Sequence, residues 1–133
     1  MPVVQAQTWK GSPFTIERKD GKAPGTVIFR MSGPLTARDM YSSQSPSTVH
    51  NIFEFQSTPS DAPPALNILD LTDVPYMDSM GLGMIVTHHV RCQRNGVRLI
   101  AAGVGPRVLQ LLKLTKVDTV ICMAATVEEA DVQ

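Results

Sequence analysis

The chain has 133 residues, the size of one ordinary domain. Its 12 Lys+Arg balance 12 Asp+Glu, and only 18% of residues are charged, which excludes the excess positive field that a nucleic-acid binder needs. Hydrophobic residues make up 43%, enough for a core and too many for a disordered chain, yet no apolar run reaches the ~18 residues of a membrane span.

In chain order, residues 1–13 read as a flexible polar tail, with Trp9 able to tack it down. No basic segment followed by an apolar stretch marks a secretory signal there. Residues 14–18 alternate apolar and polar, the pattern of a half-buried strand. Residues 19–25 carry turn chemistry, and 26–31 read as a second strand, hairpin-paired with the first. Gly33-Pro34 stops it. Thr36 can cap a helix, with Asp39 three residues on near its positive end. Pro46 interrupts that helix, and a second helical piece is predicted to restart near Ser47. Residues 57–64 are a proline-rich loop.

Residues 65–71 predict a central strand and 72–78 a loop, with a helix beginning near Ser79. Residues 97–102 are a further strand. Gly103-Val104-Gly105 is turn chemistry, and Pro106 sits at the favoured first position of the next helix. Residues 119–123 predict a last strand, and Thr126 caps a terminal helix with Glu129 at the box position. The order is β-β-α-β-α-β-α-β-α. Helices between strands favour parallel neighbours, and the opening hairpin adds an antiparallel edge. The fold class is therefore α/β, with a mixed central sheet of about five strands and one domain over residues 14–133.

The informative stretch is Ile68-Leu69-Asp70-Leu71-Thr72-Asp73-Val74-Pro75-Tyr76-Met77-Asp78-Ser79-Met80-Gly81-Leu82-Gly83. Ser79 stands at the first helical turn, where backbone N–H groups lack intrahelical partners and a negative group is stabilised. Three readings compete. Asp78 or Ser79 can simply be an N-cap. Ser79 can be a phosphoacceptor, gaining roughly −1.5 to −2 charge. Ser79 can be a nucleophile, but the esterase elbow Gly-x-Ser-x-Gly has Met77 at its first glycine. On helical spacing, Leu82, Ile85, Val86 and Val90 are predicted to face the sheet, with His89 near the middle of that stripe. Met80, Met84, Thr87 and Arg91 are predicted to face outward. His88 and Cys92 share a helix face as a metal pair would. No third ligand completes a site, so no metal and no cofactor is expected. Two isolated cysteines, Cys92 and Cys122, give no disulfide framework, and a reduced cytoplasmic setting is the default.

The segment Met77-Asp78-Ser79-Met80-Gly81-Leu82-Gly83 resembles the Asp-Ser-Ser/Thr-Gly-Leu-Gly signature of the STAS domain found in bacterial anti-sigma factor antagonists. Leu69 to Val74, Gly96 to Ile100, Pro106 to Leu112 and Thr126 to Ala130 resemble that family's flanking elements. The resemblance implies a STAS-like fold, with helices packed mainly on one face of the sheet. It implies partner switching: the unphosphorylated antagonist binds an anti-sigma factor that is also a serine kinase. Phosphorylation at the Ser79 position releases that partner, and a serine phosphatase restores binding. The antagonist is not an enzyme. The implied partner-binding residues are Asp78, Ser79, Met80, Gly81 and Met84, with Gly33 and Thr36 from the segment Gly33-Pro34-Leu35-Thr36. In that segment Thr36 replaces the family's carboxylate, and Met80 replaces its second hydroxyl. The rival reading is a STAS scaffold subunit of a transporter or lipid-trafficking complex, with the serine unmodified. The sequence leaves the choice between monomer and homodimer open.

Overall fold

A computed structural model describes residues 14–43 and 64–131. The expectations for the 1–13 tail, Trp9 and the helical piece near Ser47 lie outside those residues. The elements are β1 (Thr15–Asp20), β2 (Thr26–Ser32), α1 (Ala37–Ser43), β3 (Leu66–Asp73), α2 (Ser79–Arg94), β4 (Arg98–Ala102), α3 (Pro106–Leu114), β5 (Cys122–Ala124) and α4 (Val127–Asp131). The strands form one sheet in chain order, β1 to β5. β1 and β2 are antiparallel, with Lys19 opposite Ile28. The pairs β2/β3, β3/β4 and β4/β5 are parallel. This is the mixed five-strand sheet that the element order predicts.

The parallel strands are apolar on both faces, as strands covered on both sides must be. Phe29, Met31, Leu69, Leu71 and Ala101 point to one face, where Ile85 of α2 and Val108 and Leu112 of α3 close the main core. Ile28, Ile68, Ile100 and Ala102 point to the other, under Ala130 of α4. The longer helices thus share one face. On the other, α4 is held at its end by Asp131, whose two carboxylate oxygens accept the Lys22 N–H at 3.1 Å from the β1–β2 turn.

The end of α2 shows why the chain turns back into β4. Gly96 takes φ +70°, and the Val97 and Gly96 N–H groups donate to the Cys92 and Gln93 carbonyls at 2.9 and 3.3 Å. That is a Schellman motif, which needs a residue free of Cβ strain after the cap.

Three local expectations are corrected. β1 continues through Lys19-Asp20, and β3 continues through Thr72-Asp73. The last strand lies later than 119–123, because Lys116 adopts φ 63° and Val117–Thr119 winds a 3-10 turn. Its apolar Val120 and Ile121 resemble strand residues in sequence but serve that turn.

Candidate functional site

β3 ends beyond a register shift in its pairing with β2, between Arg30 and Ser32. The chain then runs through Val74-Pro75-Tyr76 and touches the exit of β2 once more, where Leu35 and Met77 form a parallel bridge. The Leu35 N–H donates to the Tyr76 carbonyl at 3.0 Å, and the Asp78 N–H to the Leu35 carbonyl at 3.3 Å. Two segments distant in sequence are thereby stitched together just before α2 begins.

Asp78 is the N-cap of α2. Its Oδ1 accepts the Gly81 N–H at 3.0 Å, satisfying one of the orphan donors of the first turn. Its Oδ2 accepts the Ala37 N–H at 3.0 Å, at the first residue of α1. One carboxylate therefore clasps the positive ends of two helices. Thr36 caps α1 beside it: the Asp39 N–H donates to Thr36 Oγ1 at 3.1 Å, and the Thr36 hydroxyl donates back to Asp39 Oδ2. The sequence reading of Thr36 as a cap holds.

Gly81 is buried against Leu35, and a Cβ there would overlap the Leu35 carbonyl oxygen. Gly83, one turn along from Ser79, has nothing within 4 Å of where its Cβ would stand. The two glycines of the signature therefore have different physical settings.

Among the expected partner-binding residues, Ser79 is exposed. Asp78, Met80 and Met84 are half-buried, while Gly33, Thr36 and Gly81 are buried. Gly33 is an αL turn residue, φ +89°, whose N–H donates to the Asp73 carbonyl at 2.9 Å. Gly33, Thr36 and Gly81 are tied into the backbone around the loop. Met80 and Met84 are less outward than expected: both stay partly exposed but pack against the main core.

The phase of α2 is also corrected. Its buried positions are Gly81, Ile85, His88 and Cys92, not the stripe of Leu82, Ile85, Val86 and Val90. Val90 is 40% exposed, and His89 is half-buried. The outward face runs Ser79, Gly83, Thr87, Val90, at successive steps of four, four and three residues. Its four residues carry no charge, and the half-buried Arg91 and exposed Arg94 follow them.

His88, which shares a helix face with Cys92 as the spacing predicts, is an internal strut. Its Nε2 lies 2.6 Å from Asn67 Oδ1, and Asn67 Nδ2 donates to the Val27 carbonyl at 2.9 Å. Burial, reinforced by Arg91 and His89, pulls His88 down to about 4. The Cys92 Sγ is 3.6 Å from His88 Nε2, and burial pushes its thiol up to about 11 against a smaller opposing effect of Arg91. A neutral imidazole and a protonated thiol suit a core. No group of three or more His, Cys, Asp or Glu that could hold a metal occurs among the described residues. His88 also stands nine residues along α2 from Ser79, about 13 Å of helical rise, too far to serve it as a base.

Sequence reasoning missed Tyr76 and Arg107. The Arg107 guanidinium lies 4.5 Å from the Tyr76 ring centroid, a cation–π contact joining the loop before Ser79 to the start of α3. A lone tyrosine and a lone arginine 31 residues apart gave no sequence signal. None of the helices among the described residues is long and apolar enough to cross a membrane.

The fold has solved counterparts. It matches an anti-sigma factor antagonist from Mycobacterium paratuberculosis with TM-score 0.64 and 22% identity, over 88% of this chain and 90% of that one. It matches a sulfate transporter family protein from Wolinella succinogenes with TM-score 0.65 and 17% identity, over 81% and 83%. It matches the anti-sigma factor antagonist SpoIIAA in its unphosphorylated form with TM-score 0.54 and 18% identity, over 86% and 92%. At these identities the likeness is one of fold. The sequence profile of the STAS domain matches residues 19–130, and the chain belongs to the STAS domain family.

Proposed function

We propose that the chain is an anti-sigma factor antagonist that works by partner switching, with Ser79 as its phosphoacceptor. The observation that carries this reading is the outward face of α2. Ser79 is exposed at its first residue, and Gly83, Thr87 and Val90 continue it without a charge. Gly83 is exposed and has no steric reason to lack a side chain, although glycine costs a helix interior about 1 kcal/mol. A smooth uncharged face lets a partner approach the backbone closely. A phosphate on Ser79 places roughly two negative charges at its end. Meeting a partner's apolar surface, those charges lose hydration without repayment, so the partner is expelled. The helix start tolerates the same charge, so the antagonist stays folded in both states. In this reading the chain binds and performs no catalysis. It acts in the cytoplasm with an anti-sigma factor that is a serine kinase, and a serine phosphatase reverses the modification.

The test is incubation with the anti-sigma kinase from the same genome and ATP, followed by intact-mass measurement. Wild type is expected to gain one phosphate and Ser79→Ala none. A phosphate that persists in Ser79→Ala refutes the assignment.

The fold likeness to a sulfate transporter family protein favours a second reading, a STAS scaffold within a transporter or lipid-trafficking complex. Co-purification with a membrane or ATPase subunit, with Ser79 unmodified, would establish it.

A further inference from the structure

The face of the sheet that carries α4 is only partly covered. α4 lies over the β3–β5 side, tied at its end to the β1–β2 turn through Asp131. Between it and the opening hairpin is a cavity of about 580 Å³ near the C-terminal ends of the strands. That volume falls within the range of small-molecule sites. In open α/β sheets, ligands bind beyond the carboxyl ends of the strands.

The charges lining the cavity are not all spent on one another. Arg30 Nη2 lies 3.1 Å from Asp73 Oδ2, and that contact raises the Arg30 pKa. Asp70 Oδ1 accepts from the Thr72 hydroxyl at 2.6 Å and its N–H at 3.1 Å. Lys19 lines the cavity from β1 and Glu128 from α4. Among the described residues neither side chain forms an ion pair. Val104 and Val127 add an apolar portion to the wall.

This distribution selects against simple ions. A monoanion would face Asp70, Asp73 and Glu128. A plain monocation would face Lys19 and Arg30. A molecule bearing both charges on a small apolar body matches this mixed lining. We propose that the cavity is a binding site for a zwitterion of the α-amino-acid class, its carboxylate directed to Lys19 and its ammonium to Glu128. The site is separate from Ser79 and does not rest on the switching mechanism.

The test is an amide NMR titration of the full chain with L-alanine, L-valine, L-leucine and L-serine as probes. At least one is expected to give saturable shifts at Lys19, Arg30, Val104 and Glu128 at or below about 10 mM. The best probe is then compared with its two single-charge analogues, for valine isovalerate and isobutylamine. Each is expected to bind at least about tenfold more weakly, as loss of one charge-assisted contact dictates. Lys19→Gln and Glu128→Gln, both at exposed positions, should weaken the best probe by a similar factor while leaving the remaining amide spectrum in place. The proposal is overturned if no probe saturates in that range, if a single-charge analogue binds as tightly, or if neither variant alters binding.

Discussion

At the scale of single residues, the two glycines of the helix start make opposite predictions. A Cβ at Gly81 would overlap the Leu35 carbonyl oxygen, so backbone must move to admit it. Gly81→Ala is expected to destabilise the fold by about 1–3 kcal/mol, the usual cost of overpacking. A Cβ at Gly83 meets open space in the interior of a 16-residue helix. Gly83→Ala should therefore stabilise the fold by up to about 1 kcal/mol. Urea denaturation of the two variants checks both signs. If Gly83→Ala also weakens binding of an anti-sigma factor while raising stability, close backbone approach of the partner explains why a glycine stands there.

At the scale of elements, the clasp made by Asp78 decides how α1 and α2 meet. Each of its oxygens serves a different helix start, Ala37 for α1 and Gly81 for α2. Asp78→Ala removes both bonds and is expected to cost about 1–3 kcal/mol. Asp78→Asn keeps one carbonyl acceptor, so it can serve only one helix. Hydrogen exchange separates the two cases: both amides lose protection in Asp78→Ala, and one retains it in Asp78→Asn. Equal protection in all three proteins would refute the clasp. The cap itself was legible in the sequence, because Asp directly before a helical pattern is a local signal. Its second bond was not, because Ala37 is 41 residues away and only the Leu35–Met77 bridge brings it near. The strands before β5 were legible for the same local reason: runs such as Ile68-Leu69 and Ile100-Ala101 are apolar on both faces between clear turn residues. The rotation of α2 was hidden. Leu82, Met84, Ile85, Val86 and Val90 surround the helix, so no one phase stands out. The residues that mark its buried line include Gly81 and His88, which do not read as apolar.

At the scale of the molecule, that buried histidine ties the helical layer to the sheet. The Val27 carbonyl takes one Asn67 N–H, which fixes Asn67 Oδ1 as the acceptor for His88 Nε2–H. The chain of bonds therefore crosses from β2 through β3 to α2. The Phe29 ring meets the imidazole edge-on, with centroids 6.2 Å apart, so the strut stands within the main core. With Nε2 donating, a second proton must enter at Nδ1 and bury a charge. Burial first, then Arg91 and His89, hold the folded value at about 4, below the ordinary value near 6.5. Above about pH 6.5 neither folded nor unfolded His88 binds the extra proton, and the contribution to stability is fully present. As pH falls from there towards 4, the unfolded chain takes up the proton and the folded chain refuses it, so stability declines. Below about pH 4 both forms are protonated and the loss levels off. The full gap corresponds to on the order of 3 kcal/mol. His88→Gln supplies the control, since its side-chain amide can donate to Asn67 Oδ1 without titrating. Wild type minus His88→Gln, measured by urea denaturation at several pH values, cancels the other titrating groups. That difference is expected to shift against the wild type by about 3 kcal/mol between roughly pH 7.5 and pH 4. Parallel stability curves for the two proteins would show that protonating His88 does not oppose folding, and the strut would then owe nothing to a neutral imidazole.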